Sequence, residues 1–151
     1  MHSRYFEDFQ VGEQFTSTGR TVTEADLTLF NMLSGDWNPI HADVEFAAKT
    51  RFGQRLVHGA FGIALLTGFM HQMGVFETTA VAMMNLKEWA FKAPILIGQT
   101  LHLQMTIAEL DPGQSARVGR LGRHLQLRDQ HDQVVQEGFS DLLILKRPAT
   151  A

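Results

Sequence analysis

Hydrophobic and polar positions divide the chain into a helical first half and a strand-rich second half. β-Branched and aromatic residues over 14–22, after the turn signal at Gly12, predict a first strand. Thr23 followed by Asp26 predicts a helix N-cap, and the apolar residues that come next cover more than half of a helical wheel. We therefore expect a mostly buried helix that ends at Gly35.

A second helix dominates the middle of the chain. Residues 58–73 are apolar too continuously for a surface helix and over too long a stretch for a strand, so they predict an almost wholly buried central helix. Before it, Pro39 interrupts the helical pattern, residues 43–50 predict a short helix, and residues 51–54 predict a loop. After residue 79 the pattern predicts four antiparallel strands, at 79–92, 99–110, 114–127 and 133–146, with turns at 111–113 and 129–132.

The order of these elements indicates the architecture. A helix that is apolar on all sides must be covered, and a curved antiparallel sheet is the cover that this chain can form. We expect an α+β fold in which the sheet wraps around the central helix. The length of 151 residues fits one domain, at 1–147, followed by a C-terminal tail at 148–151.

Composition excludes several classes of function. The net charge is −3 and no basic block is present, which argues against a nucleic-acid partner. The absence of cysteine excludes disulfides, thiolate nucleophiles and zinc fingers. The longest apolar passage, 59–70, is too short to span a membrane, and the N-terminus lacks a secretory signal. We expect a cytoplasmic protein, and its low charged fraction of 19% predicts that another subunit covers part of its surface.

A carboxylate and an imidazole lie five residues apart in the segment Ser34-Gly35-Asp36-Trp37-Asn38-Pro39-Ile40-His41. In a continuous helix Asp36 and His41 would point about 140° apart, so the turn at Asn38-Pro39 is what allows them to converge. Asn38 is suited to bind its own backbone there. A carboxylate and a histidine around one water form an acid–base pair. The same residues are also ordinary turn chemistry, and the hexapeptide alone leaves both interpretations open.

A second cluster begins the central helix, at Val57-His58-Gly59, with Thr67 eight residues beyond Gly59. Free amides at a helix N-terminus stabilise negative charge on an oxygen, and Gly59 has no side chain to block a carbonyl. Alternatively, the glycine serves only tight packing and Thr67 only bonds back to its own helix.

Together these residues resemble the MaoC-like family, the (R)-specific enoyl-CoA hydratases and related dehydratases of the hot-dog fold. The resemblance rests on Asp36-x-Asn38-Pro39-x-His41 and the downstream His58-Gly59, and it continues through Phe46-Ala47 and Phe91-Lys92-Ala93-Pro94 to Gly98. Thr67 stands where relatives often carry serine, and Gln99 where they often carry aspartate.

The resemblance implies reversible hydration of trans-2-enoyl-CoA thioesters by Asp36 and His41 acting on one water, with the Gly59 amide on the thioester oxygen. It implies no metal and no cofactor beyond the coenzyme A of the substrate, and a homodimer or higher homo-oligomer. In this resemblance Asn38 and Pro39 support the turn of the catalytic motif, and Thr67 carries the hydroxyl of the central helix that binds substrate.

Three other functions remain open at this stage. A hot-dog acyl-CoA thioesterase would cleave the same thioester, and a non-catalytic acyl-CoA-binding module would bind it without turnover. A metal site is the third, but His2, His58, His71, His102, His124 and His131 are scattered without ligand spacing, so we interpret them as surface or packing residues. Arg51, Arg55, Lys87 and Lys92 are unranked candidates for coenzyme A binding.

Overall fold

The computed structural model describes residues 3–148, which form an α+β fold with a long helix packed on an antiparallel sheet. A single 3-10 turn, Phe6–Asp8, precedes the first strand. The helices of the described residues are α1 Glu24–Ser34, α2 Pro39–Ala42, α3 Val44–Ala48 and α4 Gly59–Gln72. The strands are β1 Gln14–Thr16, β2 Arg20–Thr21, β3 Leu56–Val57, β4 Ala80–Met83, β5 Lys87–Phe91, β6 Ile95–Leu96, β7 Thr100–Asp111, β8 Val118–Arg128 and β9 Val134–Leu145.

Seven of these strands form the main sheet, in which every pairing is antiparallel. Its order is β1-β7-β8-β9-β4, with β2 also on β7 and β5 also on β9. Strands β3 and β6 form a separate antiparallel pair. The α+β class and the antiparallel sheet are as predicted. The predicted tail lies outside the described residues from 149 onward, and the domain limit at 147 stays a prediction.

The core lies between α4 and one face of the sheet. Along β7, buried Leu101, Leu103, Met105 and Ile107 alternate with more exposed residues, as the period of two in a strand requires. These side chains share one buried cluster with Leu66 of α4 and its neighbours. The sheet therefore covers α4 along one side.

Helix α1 has the predicted ends but not the predicted burial. The Thr23 hydroxyl accepts a hydrogen bond from the Asp26 amide, and Gly35 ends the helix with φ 73°, a left-handed conformation that suits glycine. The prediction of a mostly buried helix is wrong: Leu29, Met32 and Leu33 are 64%, 66% and 83% exposed. The reason is that α1 packs on the rest of the protomer along a narrow stripe, formed by the buried Leu27 and Asn31 and the half-buried Phe30.

Helix α4 is also less buried than its sequence predicts. Phe61, Leu65, Leu66, Phe69 and Met70 are buried, but a second face of small and polar residues is exposed, and its members are Ala60, Ala64, Thr67, Gly68 and His71. The prediction of an almost wholly buried helix is therefore wrong for that face. A sheet covers one side of a helix, and nothing else in the described part of the protomer packs over the other.

Two predicted strands are interrupted. The segment 14–22 breaks at Ser17, whose hydroxyl accepts from the Leu103 amide and so replaces a regular ladder bond. The segment 79–92 breaks at Asn85, whose side chain binds Asp141 in place of continuing the strand. Helix α2 and strands β3 and β6 were not predicted, because elements of two to four residues carry too little periodicity. No helix of residues 3–148 is long and apolar enough to cross a membrane.

Candidate active site

The turn after α1 brings the acidic and imidazole side chains together. Asn38 caps α2 by accepting the Ile40 amide on its side-chain oxygen at 3.2 Å, and Pro39 occupies the first turn of that helix. Asp36 Oδ1 accepts from the Asn38 amide at 3.1 Å. The chain thus reverses between Asp36 and His41, and Asn38 binds its own backbone as predicted.

Asp36 and His41 converge at the end of this turn. Asp36 Oδ2 lies 3.8 Å from His41 Nε2, a distance that one bridging water can span. His41 Nδ1 lies 2.7 Å from the Leu56 carbonyl oxygen, and a carbonyl can only accept, so Nδ1 carries the hydrogen. In the neutral ring, Nε2 therefore presents a lone pair toward Asp36. The His41 side chain is 15% exposed and that of Asp36 is 48% exposed, so the pair meets solvent on the carboxylate side.

His58 completes the cluster, which the sequence interpretation missed. Its Nε2 lies 3.2 Å from the Asp36 carbonyl oxygen and 3.4 Å from Asp36 Oδ2. Its ring stacks on that of His41 with centroids 3.7 Å apart. Burial, and next the charge of His41, lower the pKa of His58, so it is neutral near pH 7. A neutral His58 that donates from Nε2 to the Asp36 carbonyl holds the backbone of Asp36 in place, with the carboxylate beside the same nitrogen.

Two imidazoles and a carboxylate are also possible metal ligands. One ligand atom each from Asp36, His41 and His58 lies within 4.8 Å of the other two. A ligating nitrogen must present a lone pair, however, and His58 Nε2 faces a carbonyl oxygen, which requires it to donate. The geometry favours a hydrogen-bonded cluster, and the absence of a metal stays a prediction.

Gly59 begins α4 beside this cluster. Its amide belongs to the first turn, whose N–H groups have no partner within the helix. A cavity of about 580 Å³ is lined by both His41 and Gly59. A side-chain carbon on Gly59 would lie 2.7 Å from the ring of Phe91, which is 59% exposed, so a larger residue at this position would have to push that ring aside. The helix N-terminus and the imidazole thus face one shared space.

Gln136 holds the first turn of α4 in place. Its Nε2 donates to the Gly59 carbonyl at 3.0 Å, and Trp89 Nε1 donates to its Oε1 at 3.3 Å. Gln136 is 1% exposed, so these bonds are shielded from water. A polar residue in the inward register of β9 was the sequence signal for this role.

The structure does not bring Thr67 to the cluster. Thr67 lies two turns along α4, about 12 Å from Gly59 by helical rise, and its hydroxyl donates to the Ala64 carbonyl at 2.8 Å. It lines a separate cavity, near the C-terminal half of the helix. This bond from Thr67 to its own helix matches the structural alternative stated in the sequence analysis.

The four candidate cations differ in their surroundings. Arg51 and Lys92 line the cavity beside Gly59, and Lys92 also forms an ion pair with Glu137 at 3.2 Å. Arg55 forms an ion pair with Glu24, and Lys87 binds Asp141 at 2.9 Å, so both are engaged elsewhere. A phosphate-bearing ligand in this cavity would therefore meet Arg51 and Lys92 first.

Several known proteins are similar to this chain in sequence. The family described as "MaoC like domain" matches residues 8–126. The protein named MaoC of Klebsiella aerogenes is 36% identical over 103 residues, which are 68% of this chain and 30% of that protein. An (R)-specific enoyl-CoA hydratase of Rhodospirillum rubrum is 33% identical over 108 residues, 72% of each chain. The chain therefore spans less than a third of the length of the first relative and nearly three quarters of the length of the second.

Solved structures agree on the fold. The protein titled monoamine oxidase regulatory protein, from Archaeoglobus fulgidus, superposes with a TM-score of 0.88 at 30% identity, over 98% of each chain. A Mycobacterium tuberculosis protein described as a double hot-dog fold superposes with a TM-score of 0.82 at 17% identity, over 99% of this chain and 46% of that one. The predicted hot-dog fold is confirmed.

Proposed function

Since the chain belongs to the MaoC-like domain family, we propose that it catalyses the reversible hydration of trans-2-enoyl-CoA thioesters to (R)-3-hydroxyacyl-CoA. The observation that carries the proposal is the convergence of Asp36 Oδ2 and His41 Nε2 at 3.8 Å, next to the N-terminus of α4. Relatives named (R)-specific enoyl-CoA hydratase and 3-hydroxybutyryl-CoA dehydratase support the reaction class.

In the proposed mechanism one water lies between Asp36 and His41. The water oxygen adds to C3 of the enoyl thioester while the pair accepts one proton, and the pair delivers one proton to C2. The pair thus ends in its starting protonation state, and all atoms of the water are in the product. The bond from His41 Nδ1 to the Leu56 carbonyl keeps Nε2 directed at the water.

Negative charge develops on the thioester oxygen during this addition. The Gly59 amide, which has no partner within its helix, would donate to that oxygen, and the positive end of the α4 dipole would add to the stabilisation. The Gln136 bond to the Gly59 carbonyl would keep this turn rigid. Arg51 and Lys92 would bind phosphates of coenzyme A. A role for Thr67, a cytoplasmic location and the absence of a cofactor stay predictions.

We propose further that the protein is a homodimer. Strand β4 is an edge of the main sheet, and Val81 and Met83 in it and Met84 directly after it are 51%, 41% and 53% exposed. An exposed apolar edge strand offers unpaired backbone groups to a second copy. The exposed apolar residues of α1 extend the surface that such a copy would cover.

The activity is tested by mixing the purified protein with a four-carbon trans-2-enoyl-CoA and following the loss of conjugated thioester absorbance. We expect Asp36→Asn and His41→Ala to lower the rate about 10²–10⁴-fold with unchanged thermal unfolding. Asp43→Asn is the matched control, since it removes an exposed carboxylate near the cluster and Asn remains a good N-cap for α3.

Other outcomes would contradict the proposal. Release of free thiol during the assay would assign a thioesterase. Saturable binding of the enoyl-CoA without turnover would assign a non-catalytic module. Normal turnover by a folded Asp36→Asn protein would remove this carboxylate from the mechanism.

A further inference from the structure

A buried arginine lies far from the cluster described above. On β8 the inward-facing positions are Leu121, Arg123, Leu125 and Leu127, so a cation stands where the strand pattern calls for an apolar residue. Arg123 is 1% exposed and is the largest fully buried side chain among the described residues. Such a residue is costly unless its charge has a function or a partner.

The contacts of Arg123 within the described residues do not neutralise it. Nη2 donates to Ser140 Oγ at 2.9 Å, Nε to the Ser140 carbonyl at 3.4 Å, and Nη1 faces Met70 Sδ at 3.0 Å. A guanidinium has five N–H donors, so two have no acceptor among residues 3–148, and a third has only a weak sulfur acceptor. The adjacent carboxylate of Asp141 is bound by Lys87 and Asn85.

Arg123 remains charged at neutral pH. Burial lowers its pKa to about 10, which is the direction expected for a cation that has lost its hydration, and the nearby Asp141 opposes the change. The side chain of Phe76 lies under the guanidinium, with Cζ 5.7 Å from the ring centroid. A buried cation with unused donors therefore attracts an anion.

Arg123 borders a cavity, and because its side chain is 1% exposed, an anion in that cavity would reach the guanidinium by moving Met70 aside. The cavity has a volume of about 300 Å³, the lower end of the range for small-molecule sites, and lies between the C-terminal half of α4 and β4. Its walls are mainly apolar and include Met70, Phe76 and Leu142, while His71 and Glu77 at its border are exposed. Val81 and Met83 of β4 also line it, so the proposed second copy would lie along this side of the cavity. It shares no lining residue with the cavity beside Gly59.

We propose that this cavity is a binding site for a carboxylate carried on a short apolar body, with Arg123 as the anion-binding group. The carboxylate accepts hydrogen bonds from the unused N–H groups of the guanidinium, and it takes the place of Met70 Sδ as the acceptor for Nη1. The apolar body lies against Phe76 and Leu142. Charge-assisted bonds of this kind are about twice as strong as neutral ones.

Two sources could supply this carboxylate. One is the free end of a dicarboxylic acyl substrate, a reading that rests on the proposed function, and the other is a free short-chain carboxylic acid. The two cavities border the same helix about 12 Å apart along its axis, since Gly59 and Thr67 are separated by eight positions of helical rise. The chemistry at Arg123 is the same in either case.

The first test uses pentanoate and its neutral analogue pentanamide, with binding followed by NMR titration and by thermal unfolding. We expect pentanoate to bind the wild-type protein and pentanamide to bind at least about tenfold more weakly. Arg123→Met should weaken pentanoate binding by a similar factor. This variant should fold, because an apolar residue of similar volume in place of a buried charge is often neutral or stabilising.

Arg128→Met is the matched control, since it removes one charge from the same strand, where the guanidinium pairs with Asp132 and does not line the cavity. It should leave pentanoate binding unchanged. Equal binding of pentanoate and pentanamide would overturn the proposal, as would no binding to the wild type or full binding to Arg123→Met. None of these measurements depends on turnover, so they can fail independently of the proposed function.

A second test separates the two sources with two enoyl-CoA substrates of equal length, one ending in a methyl group and one in a carboxylate. If the acyl end reaches Arg123, Arg123→Met lowers kcat/KM for the carboxylate-ended substrate at least about tenfold and leaves the other unchanged. If the ligand is a free acid, Arg123→Met changes neither value and loses only pentanoate binding. Equal losses with both substrates and intact pentanoate binding would contradict a carboxylate site.

Discussion

Adding one methyl group at Gly62 should displace the glutamine that holds the first turn of α4. A side-chain carbon on Gly62 would lie 2.4 Å from Gln136 Nε2 and 2.8 Å from both Cδ and Oε1, so the whole amide must move. Gln136 is 1% exposed, and the space open to its amide is the cavity beside Gly59, which it lines. Gly62→Ala therefore breaks the bonds of Gln136 to the Gly59 carbonyl and to Trp89.

The magnitude follows from opposing contributions to the free energy of unfolding. Two lost hydrogen bonds cost about 1 kcal/mol each, and residual overpacking costs about 1 kcal/mol or more. The gain in helix propensity of alanine over glycine returns about 1 kcal/mol. We expect a net loss of about 2 kcal/mol, which lowers Tm by roughly 4–8 °C for a protein of this size.

The assay is urea unfolding followed by circular dichroism at fixed protein concentration, with two controls. Gly68→Ala lies on the same helix, and its added carbon meets nothing within 4 Å in the protomer, so it should stabilise by up to about 1 kcal/mol. In a Gln136→Ala background the obstacle is absent, and Gly62→Ala should no longer destabilise. If Gly62→Ala costs nothing in the wild type, or costs the same in the Gln136→Ala background, the reasoning is refuted.

Three further outcomes are expected. The lowered pKa of His58 means that the unfolded state binds the proton more readily, so the free energy of unfolding should fall as pH drops below about 6.5. Urea unfolding at a series of pH values should show that the free energy of unfolding depends less steeply on pH in His58→Gln than in the wild type. An unchanged dependence on pH would contradict the assignment. Val81→Lys places a charge on the exposed β4 edge and should convert the proposed dimer to a monomer, as measured by light scattering. Gln114→Lys, in an exposed loop, should leave the dimer intact. A monomeric wild type would disprove the dimer. Thr23→Ala removes the α1 cap and should cost about 1 kcal/mol in urea unfolding, while Thr23→Ser should cost little, and equal losses would exclude the cap as the cause.

Elements with strong local signals were predictable from sequence. Thr23 and Gly35 mark the ends of α1 because capping bonds and left-handed glycine are properties of neighbouring residues. The three long strands follow from alternation, which is also local. The turn at Asn38-Pro39 that joins Asp36 to His41 is also a local feature, since a segment of six residues contains the whole geometry.

Burial and long-range contacts could not be predicted in this way. The exposed faces of α1 and α4 depend on which elements pack over them, and a helical wheel records only that a helix has apolar sides. His58 reaches Asp36 across 22 residues, so its place beside His41 depends on how α4 begins against α2. Thr67 and Gly59 share a helix but not a cavity, for the same reason.

The sequence by itself determined the fold class, the family and the pairing of Asp36 with His41, because periodicity, caps and a proline turn act over a few residues. Only the tertiary structure decided that His58 fixes Asp36, that Gln136 holds the first turn of α4, and that Arg123 is a buried cation beside a cavity. Each of these depends on side chains from distant strands and helices meeting at hydrogen-bond distance. Packing decides those meetings, and it is a property of the whole chain.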